Sequence, residues 1–115
     1  MTNWRQIFSY VESSIRILKV SKSIPRGYLP YVTVRFTPVT VYSHSNAYEE
    51  LQKDVMSTIR SYRRYVKDVD TLRNPPHFQD KGIVFNFKMN TSEDILDQVV
   101  NALSNLVGKE YEEND

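Results

Sequence analysis

Residues 82–89 constrain this chain more than any other stretch, because they alternate. Ile83, Phe85, Phe87 and Met89 fall on one side, and Val84, Asn86 and Lys88 on the other. Successive side chains of a strand point to opposite faces, so the run predicts a strand with one buried face. Such a strand needs a pairing partner for its backbone and a cover for its apolar side. Just before it, Asn74-Pro75-Pro76-His77 interrupts any regular element, and residues 74–81 read as loop.

A second β-prone run covers residues 31–42. Val32, Val34 and Phe36 share one face, and Val39 and Val41 the other. The parity changes across Thr37-Pro38, which suits a bulge or bend in one long strand or two short collinear ones.

The remaining segments carry helical spacing. Trp4, Ile7, Phe8, Val11, Ile15 and Leu18 step by three and four, which predicts a helix over residues 2–20. Thr2 or Asn3 would cap it, and Pro25 and Gly27 would stop it. Leu51, Val55, Ile59, Tyr62, Val66 and Val69 form a narrow seam, which predicts a long helix over residues 45–72. Asn46 and Glu49 stand at capping-box spacing at its start. At ~1.5 Å per residue it would reach roughly 35–40 Å and overhang a small sheet. The last helix starts at Asn90 or Thr91, with Glu93 and Asp94 in the first turn, where acid suits the helix dipole. Ile95, Leu96, Val99, Val100, Leu103, Leu106 and Val107 give it an apolar face, and Gly108 closes it. Residues 109–115 read as an acidic tail.

The expected fold class is therefore α+β, a single domain of 115 residues. A sheet of two to three strands would pack with three helices in the order α-β-α-β-α, and the long crossover would permit parallel pairing. A small sheet with open edges, beside an overhanging helix, suggests a homodimer.

Composition then removes function classes. The chain has no cysteine, so disulfides, thiolate metal sites and cysteine nucleophiles are excluded. Its three glycines, Gly27, Gly82 and Gly108, are isolated, so no phosphate-cradling loop of the P-loop or dinucleotide kind exists. No Gly-x-Ser-x-Gly elbow is present. His44 and His77 stand far apart and have no second histidine at ligand spacing. Asp94 and Asp97 share a helix face and would suit a hard cation, but acids at a helix start are explained by the dipole alone. No cofactor, no metal and no catalysis are expected.

Charge points to binding. Residues 1–43 hold six Lys/Arg against one acid, whereas residues 82–115 hold two against seven. On the long helix, Lys53, Arg60, Arg64 and Lys67 would form one basic stripe, with Arg63 beside it and Tyr65 placed to stack on a base. Arg16, Lys19, Lys22 and Arg26 would extend it if the first helix lay alongside. Eight tyrosines, with Tyr28, Tyr31 and Tyr42 flanking a strand, suit a contact surface.

Three readings follow. The first is a non-catalytic binding or assembly protein acting through protein–protein contacts as a homodimer. The second is a nucleic-acid-binding protein using Lys53, Arg60, Arg63, Arg64, Tyr65 and Lys67. A third, weaker one lays the Trp4, Ile7, Phe8 and Val11 face on a membrane surface. No run approaches ~18 apolar residues, so no membrane span is expected. The expected location is intracellular and cytoplasmic, although residues 1–27 are also basic and amphipathic in the manner of a mitochondrial presequence.

Overall fold

The alternating run is a strand, Lys81–Phe87, and it is the second strand from one edge of a five-stranded sheet. The computed structural model describes residues 14–37, 46–73 and 81–112. In chain order these form β1 (Ser14–Ser23), β2 (Tyr31–Thr37), α1 (Asn46–Ile59), a 3-10 turn (Arg60–Tyr65) and β3 (Val66–Arg73). Then follow β4 (Lys81–Phe87), α2 (Glu93–Ser104) and β5 (Glu110–Glu112). The sheet order is β3-β4-β2-β1-β5, and every neighbouring pair is antiparallel.

This corrects the expected α-β-α-β-α order and its sheet of two to three strands. Residues 14–20, expected at the end of a first helix, belong to the strand Ser14–Ser23. Ile15 and Ile17 point into the core, with 1% and 0% exposed. A bulge follows: Ile17 pairs with Phe36, but Lys19 pairs with Arg35, leaving Leu18 as the extra residue. A bulge inserts one residue and reverses the parity beyond it. Val20 therefore packs against the core while Lys19, Ser21 and Ser23 turn to the opposite face. Pro25 and Gly27 close a hairpin here instead of ending a helix. Tyr28 N–H donates to the Pro25 carbonyl at 3.3 Å, and Gly27 has φ +78°. That positive φ at the third turn position is the type II requirement.

The long helix is likewise shorter than its seam. α1 ends at Ile59, about 21 Å long at ~1.5 Å per residue, so it does not overhang the sheet. Leu51, Val55 and Ile59 are buried as the seam implies. Tyr62 and Val66 are half-buried, but they belong to the 3-10 turn and to β3. Val69 stands on the strand, 44% exposed. β3 also has a bulge: Val66 pairs with Phe87 and Asp68 with Asn86, which leaves Lys67 over. α1 begins at Asn46 itself, the residue expected to cap it.

α2 matches the expected last helix more closely. Leu96, Val99 and Leu103 are buried, and Glu93 and Asp94 occupy its first turn. The cap is Ser92, whose side chain accepts from Ile95 N–H at 3.3 Å, in place of Asn90 or Thr91. Asn90 instead takes a left-handed turn conformation, φ 72°. After the helix Gly108, with φ +87°, donates its N–H to the Ile17 carbonyl at 2.8 Å. The chain then adds β5 to β1, pairing Ile15 with Tyr111. Residues 110–112 are therefore sheet, not a free acidic tail.

Both helices lie on one face. Their apolar sides meet Ile15, Ile17, Val32, Val34, Phe36, Ile83, Phe85 and Phe87 in one core. Phe36 and Tyr48 meet edge to face, with ring centroids 5.9 Å apart. Residues 2–13 of the helix expected over residues 2–20, Val39 and Val41, His44 and His77, and residues 113–115 lie outside the described residues.

Candidate functional site

The stripe expected from Lys53, Arg60, Arg64 and Lys67, with Arg63 and Tyr65 beside it on the same helix, divides between three elements. Lys53 is on α1, and Arg60, Arg63, Arg64 and Tyr65 are on the 3-10 turn. Lys67 is the bulge residue of β3. A straight stripe is excluded, because the α-helix stops at Ile59. The turn nevertheless folds the chain back, so that Lys53, Arg60, Arg63 and Lys67 line one concavity of about 510 Å³. Its walls include Met56 and Val69, both 44% exposed, and Asp68 is the one carboxylate among the described residues that line it. Among the described residues, none of the four cations enters an ion pair.

Arg64 and Tyr65 do not join that groove. Arg64 Nη2 donates to the Tyr65 hydroxyl at 2.9 Å, and its guanidinium lies 4.9 Å from the centre of the same ring. Tyr65 also packs against the core. With one face covered and the body half-buried, this ring is not presented for stacking on a base.

The basic residues of β1 do not extend the groove either, because the strand sends them to opposite faces. Lys22 lies on the helix side and pairs with Glu93 at 2.9 Å and with Asp97. The hydrogen bonds to Asp97 and then Glu93 hold its ammonium above the ordinary lysine range. Asp97 is thus engaged with a cation. Among the described residues no group of three or more His, Asp or Glu could hold a metal ion.

The open face of the sheet contributes a second set of residues that helical periodicity hid. It forms a hollow of about 510 Å³ over β1, β2 and β4, lined by Lys19, Ser21, Ser23, Tyr31, Thr33, Arg35, Val84 and Asn86. Lys19 and Arg35 are direct cross-strand partners. Like charges in that position repel and destabilise the pair. Across β2, Arg35 faces Gly82, which offers no counter-charge. The polar members of β2, Tyr31, Thr33 and Arg35, alternate with Val32, Val34 and Phe36, and that alternation is the sequence signal for this face.

Carboxylates on the open face are kept to its margins. Asn86 Nδ2 donates to Asp68 at 2.6 Å and to Asp70 at 3.0 Å on edge strand β3. At the other edge, Glu110 pairs in register with Arg16 and accepts from the Ser14 hydroxyl at 3.3 Å. The result is a cationic centre between two acidic borders.

No protein-family model, no curated protein and no solved structure matches this chain. Its chemistry is read from its own side chains.

Proposed function

We propose that this chain is a non-catalytic binding protein whose ligand is nucleic acid, gripped by the groove between α1, the 3-10 turn and β3. One observation carries the reading: Lys53, Arg60, Arg63 and Lys67 converge on a single concavity with one carboxylate among them. Cations that enter no ion pair among the described residues suit a polyanion, because guanidinium forks match phosphate oxygens and each neutralised phosphate releases counterions. The test is fluorescence anisotropy at low salt with random-sequence oligonucleotides. Four phosphate contacts give a log–log salt slope of roughly −3 to −4. Replacing Arg60, Arg63 and Lys67 by Glu abolishes binding if the groove is the site. Failure of the native chain to bind, or equal binding by the triple variant, retires this reading.

A second reading, assembly through protein contacts as a homodimer, draws on a different observation. Among the described residues β3 is an eight-residue edge strand, and Met56 and Val69 are exposed beside it. An open edge can pair with a second copy of itself, although Lys67, Asp68 and Asp70 place charge along it. The overhanging helix no longer supports this reading, since α1 is short. Light scattering at micromolar concentration reads twice the chain mass if it holds, and a monomer at all concentrations removes it. Among the described residues no helix is long and apolar enough to cross a membrane. An intracellular, cytoplasmic location belongs to the same proposal.

A further inference from the structure

We infer that the open face of the sheet binds single-stranded nucleic acid, with phosphate held between Lys19 and Arg35 and a base laid on Tyr31. The ligand class rests on the nucleic-acid reading above, but the residues are entirely different from those of the groove.

Three observations on this face support it. Lys19 and Arg35 sit directly opposite each other on adjacent strands, with no acid in their row of the sheet. An anion between them turns a repulsion into two charge-assisted contacts. Beyond them the floor of the hollow is Thr33, which is buried, and Asn86, whose amide is held by Asp68 and Asp70, and Tyr31 closes the far end. Arg35 and Tyr31 are four residues apart on β2, on the order of 13 Å along the strand. That length suits an extended chain more than a lone phosphate.

Charge also sets the direction. Asp68 and Asp70 line one edge of this face, and Glu110 and Glu112 the other. A polyanion crossing the sheet would meet carboxylates on both sides. One running along β1 and β2 stays over the cations. Strandedness follows from access: Tyr31 lies in a hollow, and duplex bases are stacked inside their helix, whereas a single strand can splay a base onto an aromatic ring. An acidic peptide fits less well, since extended peptides bind by pairing with a free sheet edge and the backbone of this face is already paired.

The experiment measures anisotropy of fluorescein-labelled random twelve-nucleotide single strands and the matching duplex against the full chain. Three variants are compared with the native chain: the open-face pair K19A/R35A, the groove triple R60E/R63E/K67E, and Tyr31→Leu, which keeps bulk but removes the aromatic face. Circular dichroism confirms that each remains folded. The expected result is that K19A/R35A weakens single-strand binding at least tenfold, makes its salt slope shallower by about 1.4 and moves duplex binding far less. Tyr31→Leu weakens single-strand binding without changing the salt slope. Unchanged single-strand affinity and slope in K19A/R35A, with binding lost in the groove triple, overturns this inference and leaves the groove reading standing. Loss in K19A/R35A with none in the groove triple does the reverse. No binding of either oligonucleotide by the native chain overturns both.

Discussion

The Tyr111 hydroxyl donates to Asp54 Oδ2 at 2.8 Å, joining the last strand to the first helix across 57 positions of sequence. Lys109 pairs with the same carboxylate, so a three-residue segment of β5 is anchored by one side chain of α1. Burial, and then the hydrogen bond to Asp54, push the Tyr111 phenol well above its usual range, so it stays a donor.

Tyr111→Phe tests that anchor directly. The ring remains buried, but the charge-assisted hydrogen bond is lost, at a cost of about 1.5–3 kcal/mol. Urea denaturation of the two proteins measures it. A difference within about 0.3 kcal/mol would show that β5 is held by β1 alone.

Acid should weaken the same contact. The hydrogen bond from Lys109, opposed in part by desolvation, lowers the Asp54 carboxyl below its ordinary 3.8. A carboxyl whose folded pKa is depressed contributes stability that is complete above the unfolded value and lost as pH falls through the folded one. Stability should therefore fall below about pH 4, and Asp54→Asn should flatten that part of the profile. Thermal melts between pH 5 and pH 2.5 read it, and identical slopes for the two proteins would count against it.

Leu103 is 1% exposed, on the inner face of α2. Leu103→Ala should cost on the order of 2–5 kcal/mol, the range for a cavity in a packed core. Less than about 1 kcal/mol by chemical denaturation would mean that α2 contributes little to the core.

Deleting Leu18 removes the bulge and leaves the register intact, because Lys19 then follows Ile17 as Arg35 precedes Phe36. Ile15, Ile17, Val20 and Lys22 keep their face in one regular alternation. The deletion variant should therefore retain a cooperative thermal melt. Loss of that melt would mean that the bulge itself is needed for the twist of β1.

Gly108 combines φ +87° with open space around its missing side chain. Gly108→Ala therefore meets no clash and should cost about 1–2 kcal/mol through backbone strain alone. A larger loss would mean that the N–H bond to Ile17 is also disturbed.

Local pattern was enough for β4, whose Ile83, Phe85 and Phe87 alternate without interruption, and for α2, whose Leu96, Val99 and Leu103 repeat within one helix. The apolar side of β2 was legible for the same reason. These elements declare themselves because their spacing is regular from end to end.

Only the tertiary structure decided β1 and β3, and in both a bulge is the cause. Leu18 separates Ile17 from Val20, and Lys67 separates Val66 from Val69. Each bulge turns the two-residue step of a strand into a three-residue step, which in sequence is the mark of a helix. Nothing local stops α1 at Ile59, since neither proline nor glycine stands there. Pairing with β4 takes over. β5 was hidden because burial of Tyr111 depends on Ile15 and Asp54, both distant in sequence. The candidate sites follow the same division. The cations of the groove stand close in sequence, although a turn and a bulge bring them together instead of a helix. The juxtaposition of Lys19 and Arg35 exists only because β1 and β2 pair in that register, a fact no single segment contains.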